Sequence, residues 1–112
     1  MKDFTPSERR QIKDIIRIGI LRRHAEWQSE MRELLNRPLE DRENEFDRSL
    51  AITNKSRNFF KEAMRMEDFY RNNWIDIGVT ILLRGGYLTT DDLSPLSEEL
   101  REYFFERLNY AT

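Results

Sequence analysis

The sequence predicts an all-α fold: a long antiparallel helical hairpin with two shorter helices at its open end. Three observations predict it. Charged residues make up 36% of the 112-residue chain and hydrophobic residues 38%, a balance that suits helical bundles when apolar positions recur every three or four residues. Strong start and stop signals bracket two long periodic stretches. The one run with strand-like β-branched content, 74–83, has no second strand-like segment to pair with.

The first helix is expected over 5–37. Thr5-Pro6-Ser7-Glu8 places a hydroxyl at the N-cap, proline at N1 and a carboxylate at N3. Proline forfeits no hydrogen bond at N1, whose amide has no intrahelical partner, and Thr5 and Glu8 can satisfy two free amides reciprocally. Phe4 stands just before the cap, positioned to staple back onto the first turns. Pro38 stops the helix, because the residue before a proline is pushed out of helical angles. At about 100° per residue, Ile12, Ile15, Ile16, Ile18, Ile20 and Leu21 cover most of the circumference, so this half should be surrounded by other helices. Farther along only one stripe persists, Trp27, Met31, Leu34 and Leu35, which asks for a single partner helix.

That partner is expected over 39–72. Leu39, Phe46, Leu50, Thr53, Phe60 and Met64 fall on one seam, and a second set, Ile52, Phe59, Ala63, Met66 and Tyr70, widens the apolar surface toward the end. The stripe narrows along the first helix and widens along the second, as an antiparallel hairpin requires. A tight connection then pairs residues whose numbers sum to about 76: Trp27 with Phe46 or Leu50, Ile16 with Phe60, Ile12 with Met64. Thr53-Asn54-Lys55-Ser56, all weak helix formers, mark a place for a kink.

Asn72-Asn73 breaks the pattern, and 74–84 reads as a short buried helix. Gly85-Gly86 ends it, a left-handed glycine after the last turn being the usual device, with Tyr87 and Leu88 folding back over the turn. Ser94-Pro95 repeats the cap-then-proline start, so a last helix is expected over 95–109, with Leu96, Leu100, Tyr103, Phe104 and Leu108 on one face. The predicted core is Ile12, Ile16, Ile20, Phe60, Met64, Ile77, Ile81, Leu82, Leu100 and Phe104. At this length a single domain is expected.

Several chemistries lack their residues. A di-iron bundle needs two Glu-x-x-His motifs, and the only histidine is His24. His24-Ala25-Glu26 matches part of a zinc deaminase signature without its cysteine pair. With no cysteine there is neither disulfide nor thiolate chemistry, and Gly85-Gly86 lacks the Lys-Ser/Thr of a phosphate-binding loop. No catalytic residue, metal or cofactor is assigned. Leu39-Glu40-Asp41-Arg42-Glu43 resembles the second-helix start of the all-helical chorismate mutases, small dimers organised by one long first helix. The first-helix arginine, following lysine and late glutamine of that family have no counterpart, so no residue is carried over.

Two surfaces remain. Arg10, Lys13, Arg17 and His24 share a narrow wedge of the first helix, a basic stripe of the kind that binds phosphates. Acidic segments at 24–50 and 98–106 are available to cover it, and a pI near 5.5 is low for a nucleic-acid-binding domain. Trp27, Met31, Phe46 and Leu50 occupy the seam of a hairpin about 50 Å long, whereas a compact chain of this size is roughly 35 Å across. The tip therefore projects, and a second chain could cover it. The leading expectation is a non-enzymatic interaction, scaffold or adaptor protein, homodimeric or joined to another protein through the tip. Nucleic-acid or anion binding through the basic stripe comes second. A small enzyme with an interhelical site comes third, and would need a polar cavity faced by Asp76, which is expected at a helix start or surface or else beside an arginine. No apolar stretch is long enough to cross a bilayer, and the lack of cysteine and of a signal-like start fits the cytoplasm.

Overall fold

A computed structural model describes residues 3–72 and 74–110, so the expected break at Asn73 lies outside the described residues. The fold is all-α. Its helices are α1 (Pro6–Asn36), α2 (Glu45–Arg71), α3 (Ile75–Arg84) and α4 (Glu98–Tyr110), with one 3-10 turn, Thr90–Leu93, before the last. α1 packs on α2 and α3, and α3 also touches α2 and α4. The molecule measures 56 × 23 × 23 Å with a radius of gyration of 17.6 Å. A compact chain of this length has a radius of gyration near 13 Å, so this one is a rod.

α1 starts as its sequence dictates. The Glu8 amide donates to Thr5 Oγ1 at 3.1 Å and the Thr5 amide donates to Glu8 Oε1 at 2.8 Å. Phe4 is buried, and its ring lies 6.0 Å from Tyr103 and 6.4 Å from Phe104. It is thus an anchor on α4 more than a local staple. Ile12, Ile15, Ile16 and Ile20 are buried, but Ile18 is 41% and Leu21 58% exposed. The expectation of a helix surrounded on all sides is corrected: one side of α1 stays open.

The second helix begins later than expected. An eight-residue connection, 37–44, separates α1 from α2. Asn44 and Asp47 form their own capping box at its end, with the Asp47 amide donating to Asn44 Oδ1 at 2.9 Å. The residues resembling a chorismate mutase helix start lie in this loop, so that resemblance has no helix to rest on. The longer loop shifts the antiparallel register by about two and a half turns. Trp27 stacks on Phe59 at 4.6 Å, and Arg17 meets Glu67. The expected pairings with Phe46, Leu50, Phe60 and Met64 do not form. The face of α2 turned to α1 is the second set, with Phe59 and Met66 buried and Ile52, Ala63 and Tyr70 half-buried. Phe60 and Met64, predicted for the core, point to solvent. α2 is one continuous helix through 53–56.

The core lies at the open end, where Ile12, Ile16 and Ile20 meet Met66, Val79, Leu82, Leu88, Leu100 and Phe104. Two glycines permit the helix crossings. A β-carbon on Gly19 would sit 3.0 Å from the side chains of Leu82 and Leu88, and one on Gly78 3.0 Å from Phe69. On α3 the predicted core positions Ile77 and Ile81 are 37% and 43% exposed, because Ile75, Val79 and Leu82 take the inward face. Gly86, φ 81°, adopts the left-handed turn, and the Tyr87 and Leu88 amides both donate to the Leu82 carbonyl. Ser94-Pro95 follows the 3-10 turn and does not start the last helix. Ser97 does, its Oγ accepting from the Leu100 amide at 3.3 Å.

Candidate functional site

The basic stripe folds inward. Arg17 forms a bidentate pair with Glu67, at 2.6 and 3.2 Å, and its guanidinium lies 4.1 Å over the Tyr70 ring. The Arg17 guanidinium holds the Glu67 carboxyl below the usual carboxylate range. Lys13 sits 5.7 Å above the same ring, and His24 stands edge-on to Phe59 at 5.1 Å. Arg10 is exposed on the first turns. An anion at Arg17 would have to displace Glu67. The acid that covers Arg17 is Glu67, near the end of α2, where the slipped register sets it, while Arg23 pairs both with Glu62 of α2 and with Glu26 of the 24–50 segment.

The four residues expected at an interface divide into two pairs. Trp27 and Met31 face α2 and are half-buried. The Trp27 Nε1 atom is buried with no hydrogen-bond partner among the described residues. Phe46 and Leu50 lie on the opposite side of α2, 72% and 49% exposed. Phe60 and Met64 join them there, 65% and 43% exposed. Helical periodicity marks this seam, but its expected orientation toward α1 is corrected, since Phe46, Leu50, Phe60 and Met64 are all exposed. Two signals point the other way: Asn44-x-x-Asp47 is a helix-start signature, and Glu62 and Glu67 flank the other seam, where Arg17 and Arg23 can reach them.

Asp76 is the second residue of α3 and only 1% exposed. Its Oδ2 accepts from the Tyr103 hydroxyl at 3.2 Å, and Arg107 Nη1 donates in turn to the Tyr103 hydroxyl oxygen at 3.5 Å. Asp76 stands at a helix start as expected, where a negative charge is favourable, but the surface expectation is corrected, since the residue is buried, and it reaches an arginine only through the Tyr103 hydroxyl. Its function here is to tie α4 to α3. Between α2 and α3 a groove of about 260 Å³ is lined by Ile16, Ile20, Met66, Phe69, Ile81 and Leu82, with Glu62 and Arg65 at its mouth. No group of three or more His, Cys, Asp or Glu side chains stands close enough to hold a metal ion among the described residues. No described helix is long and apolar enough to cross a membrane.

No protein family, curated protein or solved structure compared with this chain matches it. What the arrangement offers is a surface. Along about five turns of α2, Phe46, Leu50, Phe60 and Met64 are exposed, on a helix packed from behind against α1.

Proposed function

We propose that the protein is a non-enzymatic helical interaction or scaffold protein that works as a homo-oligomer through the outer face of α2. One observation carries the reading: four large apolar side chains, 43–72% exposed, line one side of a continuous helix. Exposed apolar surface clustered on one helix face, here as two pairs on either side of Thr53 and Arg57, is a mark of interaction sites. Covering each such side chain contributes roughly 1–2 kcal/mol. Four from each of two copies then give a total comparable with the 4–15 kcal/mol that association costs, by rough accounting. Concentration-dependent assembly follows, and the burial of Trp27 inside the hairpin moves the surface from the tip seam to the back of α2.

Light scattering across concentration and salt tests the proposal. The expected result is a mass above that of one chain, rising with concentration and changing little with salt, as an apolar interface requires. A single-chain mass at every concentration, or a mass that collapses steeply with salt, would overturn it.

A further inference from the structure

We infer that a second copy covers this face, its α2 lying antiparallel across a two-fold axis with Leu50 of each chain against Phe60 of the other. The inference rests on the self-association just proposed and adds direction and register to it. Phe46, Leu50, Thr53, Arg57, Phe60 and Met64 follow one another at intervals of four, three, four, three and four residues. Alternating steps of four and three are the inner positions of a left-handed coiled coil. All six residues are exposed, and all lie within the unbroken α2.

The interval pattern reads the same from either end, and so does the chemistry. Turn a second α2 end for end about a point beside Lys55. Phe46 then meets Met64, Leu50 meets Phe60, and Thr53 meets Arg57. Apolar layers fall on apolar layers at both ends, with one polar layer on each side of the axis. A two-fold contact uses the same patch on both subunits and must be self-complementary in this way. A parallel pairing would set Arg57 on Arg57. A slip of seven residues would set Phe46 on Arg57 and strand Phe60 and Met64, so the polar layer penalises the wrong register, as a buried polar position does in coiled coils.

The flanks agree. Asp47, Asn54 and Lys61 run along one edge of the seam, all exposed. In an antiparallel pair this edge faces its own copy, so Asp47 stands opposite Lys61 and Asn54 opposite Asn54. The other edge carries Ser49 and Ser56, small enough to let the helices approach, and closes on Ala63, which is half-buried toward α1. Charges at such a rim add little affinity, but they select orientation and partner.

The chain has no cysteine, which makes single-cysteine cross-linking clean. Asn54→Cys is expected to form a disulfide-linked dimer under mild oxidation. Asp47→Cys and Lys61→Cys lie about 20 Å from their own copies in this register, so each alone should stay uncross-linked while a mixture of the two gives the mixed dimer. Charge reversal gives a second readout. Lys61→Glu alone and Asp47→Lys alone should each weaken self-association roughly three- to tenfold, and an equimolar mixture should restore it, because the mixed dimer has opposite charges at both contacts. Circular dichroism checks that Asp47→Lys, which removes a helix cap, leaves the fold intact. Self-cross-linking of Asp47→Cys or Lys61→Cys would set those residues beside their own copies and overturn the inference, and so would a parallel pair, whose equivalent edges lie on opposite sides of the contact and leave Asn54→Cys uncross-linked. A dimer by light scattering in which none of these cross-links forms would overturn this register while leaving self-association standing. A single-chain mass would overturn both.

Discussion

Arg42 adopts φ 71° in the turn closed by the Glu43 amide on the Glu40 carbonyl. Left-handed backbone costs a non-glycine residue roughly 1–2 kcal/mol, and glycine nothing of that kind. Arg42→Gly should therefore raise stability by about 0.5–1 kcal/mol, since part of the relief is returned as unfolded-chain entropy. A urea midpoint that falls would contradict this. Asp92 provides a second residue-level test. The Arg22 guanidinium, bidentate at 2.7 and 3.0 Å, and the Thr89 amide, at 2.7 Å, hold its carboxyl down from 3.8 to about 2. A carboxyl depressed in the folded state stabilises the protein above its ordinary value and loses that contribution as pH falls through the folded one. Stability should thus decline as pH drops from about 4 to about 2, and Asp92→Asn should flatten that part of the profile. Denaturation midpoints for both chains at pH 6, 4 and 2.5 measure it, and parallel curves would contradict the assignment.

At the scale of elements, the hairpin is held by rings and ion pairs along α1 and α2. Trp27 stacks on Phe59 with an interplanar angle of 8°, and Arg23 reaches Glu62 beside them. The Trp27 ring contributes through packing while its N–H is buried and unpaired. Trp27→Phe keeps a stacking ring and removes an unsatisfied donor, so it should cost under about 1 kcal/mol, whereas Trp27→Ala should cost about 3 kcal/mol. Equal losses in thermal melts would contradict the stacking account. The helices themselves were legible in the sequence, because caps, prolines and glycine pairs are local signals. Thr5 and Glu8 mark the first start, and Gly86 the turn after α3. The orientation of α2 was not legible in the same way. Its two seams both satisfy helical periodicity, and the connection length together with the Glu62 and Glu67 pairs to Arg23 and Arg17 distinguishes the one that meets α1. Leu39 drew the helix start forward, while the Asn44–Asp47 box sets it. That choice moved Phe60 and Met64 from core to surface, so half of the candidate face was read as buried. Pairing partners depend on register, a three-dimensional quantity that residue spacing alone leaves degenerate.

At the scale of the molecule, a rod 56 Å long and 23 Å wide concentrates its core at one end and displays the back of α2 along its side. Phe46, Leu50, Phe60 and Met64 stand exposed on α2 while Phe59 and Met66 fill its inner face, which is why the central claim is one of association. The most direct test is sedimentation equilibrium on the chain beside its Phe60→Glu variant, with helix content monitored in both. Phe60 is 65% exposed, so a charge there leaves the folded chain undisturbed. The account predicts a concentration-dependent dimer for the unmodified chain and a monomer of unchanged helicity for the variant. A variant that dimerises as well as the parent, or a parent that stays monomeric, would contradict it.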